Sequence, residues 1–157
     1  MKTNQTEIAV VIPVLSEQQI AEFTDSSYIQ KNVVESFGDA LQRYMDELKI
    51  ERDMLAKLTG IGETSIYYYL HGEREISADH LTAICISLRL HPMKSKYLFS
   101  LTHHHLCSNN ARDILCMTYI YACAFNEKFD LLSCNQLLKH KGMNPLTPLM
   151  KKSDTGA

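Results

Sequence analysis

A chain of 157 residues, 45% of them hydrophobic, has material for one full domain or a small domain with appendages. Its formal charge of −2 argues against a strongly basic nucleic-acid binder, and its longest apolar run, Ile114 to Phe125, falls short of the roughly 20 residues that span a bilayer. The five cysteines are odd in number and contain no C-x-x-C pair, which fits reduced thiols in a cytoplasmic protein better than a disulfide framework.

Residues 1–7 are polar, and Ile8 to Val14 is apolar and β-branched, a pattern for a short strand or an extended arm. Pro13 restricts it to an edge. One nearby lysine and no small-residue cleavage site make it a poor signal peptide. Ser16 is a helix N-cap with Gln19 as its capping-box partner. Asp25-Ser26-Ser27 ends that helix, and Tyr28 to Val34 reads as another short helix leading into the main domain.

From Phe37 the apolar residues Phe37, Leu41, Tyr44, Met45 and Leu48 recur at helical spacing, and Ile50 closes the element. Arg52 to Thr59 and Glu63 to His71 form the next two helices, with Gly72 as a stop signal. Leu55, Ala56, Ile61, Ile66, Tyr69 and Leu70 supply the positions that lock these two together. Gly60 stands between them, where the chain must turn through a backbone conformation that costs glycine least. Ser77 caps a fourth helix that turns Leu81, Ile84, Cys85 and Leu88 inward. Pro92 separates it from a fifth, Lys94 to Leu106, carrying Tyr97, Leu98 and Leu101.

Beyond Asn109 the chain changes character. Ala111 to Phe125 is apolar on nearly every face and requires cover. Phe129 to Leu138 follows as a helix, and Gly142 to Leu149 ends the ordered chain. The predicted organisation is an N-terminal arm over 1–35, a five-helix domain over 36–108, a helical extension over 109–150 and a disordered tail over 151–157.

Two short helices around a glycine turn make a helix-turn-helix, whose second helix enters the major groove of DNA. The arrangement F-G-D-A-L-Q-R-Y-M-D, then M-L-A-K-L-T-G-I-G-E-T-S-I-Y-Y-Y-L-H-G-E, then L-T-A-I-C-I-S-L-R-L resembles the five-helix domain of lambda-repressor/Cro-like (XRE-type) regulators over about Ser36 to His103. The chain departs from that pattern at Arg52, where glutamine is usual, at Leu70, where glutamate is usual, and in three successive tyrosines. The resemblance implies an all-α fold and sequence-specific DNA binding in transcription regulation. It makes Glu63, Thr64, Ser65, Tyr67 and Tyr68 the reading set and Arg52 a phosphate clamp, and it places Tyr69 inward. Regulators of this kind bind paired half-sites, so a homodimer through residues 109–140 is expected. The helix beginning at Glu63 has to lie outermost.

Charge leaves a second reading open. Between Ser36 and His103, eight lysines and arginines face nine carboxylates. Arg52, Lys57, Arg43 and Arg74 gathered beside the reading helix would favour DNA. An acidic or tyrosine-rich face there would favour a protein-interaction adaptor that keeps the fold without DNA affinity.

His103, His104, His105 and Cys107 do not make a metal site. Consecutive residues on a helix point apart, and His103 with Cys107 would supply two ligands only. Histidines meeting the C-terminal dipole of a helix describe them better. No G-x-S-x-G, P-loop or H-E-x-x-H motif occurs, so no enzyme and no cofactor is expected. No pattern identifies a small-molecule effector.

Overall fold

The computed structural model describes residues 16–25 and 35–150, and every regular element among them is a helix. The predicted arm over Ile8 to Val14, the helix over Tyr28 to Val34 and the tail over 151–157 lie outside the described residues. Helix α1, Glu17–Asp25, belongs to a separate N-terminal unit. Its start has the expected reciprocal cap: the Gln19 amide donates to Ser16 Oγ at 3.1 Å and the Ser16 amide to Gln19 Oε1 at 2.9 Å.

Helix α2, Phe37–Leu48, starts at Ser36, whose hydroxyl accepts the Asp39 amide, and buries Ala40, Leu41, Tyr44 and Met45. It stops at Lys49, a left-handed residue at φ 56°, with the Ile50 amide returning to the Met45 carbonyl. Leu48 is exposed, so the apolar stripe is one residue shorter than its spacing suggests.

Helix α3, Arg52–Thr59, ends at Gly60 with φ 76°. The buried Thr59 hydroxyl donates to the Leu55 carbonyl at 2.7 Å and accepts the Ile61 amide at 3.1 Å, pinning the turn. Helix α4, Glu63–Leu70, buries Ile66 and Tyr69 against α2 and α3. Eight residues are too few to hold a helix in water alone, so packing holds this one.

Helix α5, Ala78–Ser87, buries every side chain from Leu81 to Ile86, as an apolar helix must when it runs through a core. It packs on α3 and on the two C-terminal helices, α7, Ala111–Phe125, and α8, Leu131–His140. Helix α6 runs Pro92–Ser100, two residues earlier at its start and six shorter at its end than the predicted Lys94 to Leu106. The cause is local: Pro92 occupies the first turn, where its missing amide costs nothing, and His91 Nδ1 accepts the Met93 amide at 3.1 Å.

Three polar side chains tie the C-terminal helices to this core. Arg112 on α7 grips Asp79 with two bonds of 2.8 and 3.1 Å and donates to the Asn144 carbonyl. Arg89 caps α7 through the carbonyls of Cys123, Asn126 and Glu127. Asn135, fully buried, accepts the Leu146 amide and donates to Thr147 Oγ1 and the Leu149 carbonyl.

Two expected outcomes follow from this packing. A Cβ at Gly38 would collide with the Leu70 carbonyl oxygen and lie 2.8 Å from its carbon, both backbone atoms. Gly38→Ala therefore destabilises the protein by about 1–3 kcal/mol in denaturant titration; an unchanged midpoint contradicts the crossing. Burial holds His80 below its ordinary pKa of 6.5, and its Nδ1 lies 2.7 Å from the Tyr69 hydroxyl. The unfolded imidazole protonates first as pH falls, so stability is full above pH 6.5 and declines below it until the folded value is passed. Burial and the Lys94 charge lower His91 in the same sense. Urea midpoints at pH about 7.5 and about 5.5 should show that decline, and His80→Gln should shrink it.

Candidate nucleic-acid interface

The inner face of α4 is set by Ile66 and Tyr69, which contribute roughly 1.5–3 kcal/mol each by burial. Helical geometry then turns the remaining residues outward: Glu63, Thr64 and Tyr67 are exposed, while Ser65 and Tyr68 are half-buried. The five residues of the predicted reading set thus share one element. Arg52, the first residue of α3, joins them from the side, with its Nε 3.2 Å from Glu63 Oε1. Both side chains are exposed, so this pair contributes little to stability and can be exchanged for another partner.

The tyrosines are held by flanking cations and by one another. The Arg52 guanidinium lies 5.2 Å from the Tyr67 ring centroid, and that ring stacks on His71 at 4.0 Å with 25° between planes. His71 Nδ1 in turn lies 2.8 Å from the Tyr67 carbonyl oxygen. On the other side, Arg74 sits 4.9 Å over the Tyr68 ring and its Nη1 donates to Ser65 Oγ at 3.4 Å. Tyr67 and Tyr68 meet edge to face at 5.8 Å. These contacts restrict the orientation of each phenol and set one guanidinium group beside each ring.

His71 is the residue that sequence reasoning passed over. It stands four residues after Tyr67, a spacing at which aromatic rings meet on a helix, and that was the available signal. Of the four cations whose gathering beside the helix would favour DNA, Arg43 and Lys57 are engaged elsewhere. Arg43 grips Glu35 with bonds of 3.0 and 2.9 Å, an arrangement that holds the Glu35 carboxyl below its ordinary pKa. Lys57 lines a cavity of about 300 Å³ with Leu58, Arg89, Asp130 and Leu149, on the side of the C-terminal helices. Glu51, Asp53 and Glu73 are exposed on the elements flanking α4, so the face is mixed in charge and only locally basic at Arg52 and Arg74.

Capping also separates these two helices from the rest. Helices α1, α2, α5, α6, α7 and α8 each begin with a side chain that accepts a first-turn amide. Neither Glu51 before α3 nor Gly62 before α4 supplies one. First-turn amides without a side-chain acceptor, at the positive end of a helix, can donate to a phosphate oxygen.

The remaining candidate chemistry disperses. The histidines follow α6 in a turn and are not on a helix. His103 faces Glu75 at 3.5 Å, and His104 Nε2 lies 2.7 Å from the Ile76 carbonyl oxygen. No group of three or more His, Cys, Asp or Glu among the described residues is placed to hold a metal ion. Burial pushes the thiols of Cys116 and Cys123 up to about 11 and that of Cys85 to about 12, which suppresses the reactive thiolate. No helix among the described residues is long and apolar enough to cross a membrane.

Comparison with known proteins agrees with this geometry. Residues 40–93, from α2 into the start of α6, match the model of the Cro/C1-type helix-turn-helix DNA-binding domain. No curated protein and no solved structure matches the chain. With α3 and α4 packed around the Gly60 turn inside an all-helical domain, residues 40–93 form a helix-turn-helix domain similar to the Cro/C1 type.

Proposed function

We propose that this protein is a sequence-specific transcriptional regulator that inserts α4 into the major groove and acts as a homodimer on paired half-sites. The observation that carries the reading is the outer face of α4, where Thr64 and Tyr67 stand exposed between the guanidinium groups of Arg52 and Arg74. Thr64 and Ser65 can bond to base edges or phosphates, and Glu63 can accept from cytosine N4. The Tyr67 and Tyr68 hydroxyls suit phosphate, and their rings suit a thymine methyl. Arg52 is the phosphate clamp. Half-sites of such regulators lie about 34 Å apart, and residues 109–140 supply the contact between copies.

The carboxylates flanking α4 favour one other reading, an adaptor that uses this face on a basic protein partner. DNA flanking the protein's own gene, titrated across a salt series, separates the two. A regulator forms a complex that outlasts non-specific binding as salt rises, whereas an adaptor forms none.

Tyr67→Ala and Tyr68→Ala should each leave the melting temperature within a few degrees of the parent and weaken operator binding roughly tenfold. Unchanged affinity in both variants refutes their role. Tyr69→Ala, by contrast, should lower the melting temperature, because Tyr69 is buried. Arg52→Ala should reduce the slope of log affinity against log salt by about one; a slope that does not move removes Arg52 from the phosphate contacts.

A further inference from the structure

The outer face of α7 is the strongest unexplained feature of the fold. The helix turns Cys116, Tyr119, Ile120 and Cys123 into the core against α5, α6 and α8. Its opposite face consists of Ala111, Ile114, Thr118, Tyr121 and Phe125, all exposed. Ile114, Tyr121 and Phe125 are 46%, 54% and 45% accessible, high values for large apolar side chains lying in one line. The five residues from Ala111 to Phe125 follow one another at alternating spacings of three and four, those of a coiled-coil seam. No charged residue occurs from Ile114 to Phe125, so the face lacks the lysines and glutamates that an outward helix face ordinarily carries.

We propose that this stripe docks on the same stripe of a second copy, with the two α7 helices antiparallel about a two-fold axis at Thr118. The proposal rests on the homodimer reading above and supplies its surface. The order of sizes along the stripe selects the occupant. In the antiparallel register Thr118 faces Thr118, Ile114 faces Tyr121 of the second copy, and the small Ala111 faces the large Phe125. A parallel pairing sets Phe125 on Phe125 and Ala111 on Ala111, crowding one end and leaving a void at the other. A two-fold contact requires a self-complementary patch, and this stripe is one.

His91 extends the patch. Its ring meets Phe125 edge-on at 5.6 Å and its Nδ1 accepts the Met93 amide, bringing Met93, 54% exposed, to the end where the second copy presents Ala111. The reading helix packs on α2 and α3, and α7 packs on α5, α6 and α8, so the seam engages a different part of the fold from α4. A single helix pair is a small contact, so the dimer is expected to dissociate on dilution.

Sedimentation equilibrium of the full chain without DNA, from sub-micromolar to sub-millimolar concentration, tests the seam. The expected result is a monomer–dimer equilibrium that Thr118→Arg weakens roughly 100-fold by setting two like charges on the axis. Thermal melts of the variant check that it folds. Register is read by disulfide trapping with diamide in a Cys107→Ser background, because Cys107 is the one native thiol that is not buried. Thr118→Cys should give a covalent dimer. Ile114→Cys and Tyr121→Cys should trap only when the two chains are mixed. A monomer at every concentration, a dimer unaffected by Thr118→Arg, or Ile114→Cys trapping to itself overturns the proposal. None of these readouts uses DNA, so they can fail while operator binding stands, and operator binding can fail while they succeed.

Discussion

The fold turns on how closely α2 can approach the end of α4. Gly38 lies against the Leu70 carbonyl, and no side chain fits between them. That crossing, with Ile66 and Tyr69 buried beneath it, seats an eight-residue helix that has too few backbone bonds to persist alone. A helix that must present side chains to a groove cannot roll by even one residue, because each residue turns it by about 100° and would carry Tyr67 away from the outer face. The glycine therefore matters through position more than through turn geometry. It is what allows the outward side of α4 to be the same side every time.

The C-terminal helices are part of that seating. Asn135 satisfies both ends of its buried amide on the segment 146–149, and the same segment reaches the helix-turn-helix, where a Cβ on Gly60 would meet Leu149 at 3.1 Å. Gly60 thus answers two demands, the left-handed backbone of the turn and the close passage of a chain more than eighty residues away in sequence. Arg112, bridging Asp79 and the Asn144 carbonyl, holds that segment from its other end. An arginine in a bidentate pair keeps its charge at any pH the protein meets, so this tie does not titrate away from its own side. The segment 144–149 thus links α7 and α8 to the turn between α3 and α4.

What could be read from the sequence was local. Ser16 and Ser77 declare helix starts through a hydroxyl that accepts the amide three residues on, and Gly60 declares its turn. Most buried apolar positions on α2 to α5 follow from period alone, but Leu48 is exposed and Phe37, Ala56 and Leu70 are only half-buried. By sequence Pro92 reads as a separator, whereas it is a first-turn residue of α6, which therefore begins two residues before the expected Lys94. Long-range pairing is what periodicity cannot carry. Arg43 and Lys57 sit near α4 in sequence, yet Glu35 claims the first, and the second faces a cavity bounded by residues from Ser87 to Leu149. Nothing within a few residues of Arg43 in the helical register announces Glu35 as its partner. The role of the buried Asn135 is not legible for the same reason, since its three partners come from a segment with no regular structure.

The distribution of charge connects the two surfaces of the molecule. Arg52 already faces Glu63, and Arg74 already rests on Tyr68, so a duplex approaching α4 meets cations that have partners. Exchanging Glu63 for a phosphate regains the attraction that is given up, and the net benefit per contact is modest in water. With exposed carboxylates on the flanking elements, one copy of such a face binds DNA weakly by electrostatics alone. Two copies held together convert the second binding event into an intramolecular one, at an effective concentration on the order of millimolar. In the proposed dimer, an uncharged seam on α7 would supply through proximity what a near-neutral reading helix lacks in charge, and discrimination would fall to the side chains of α4.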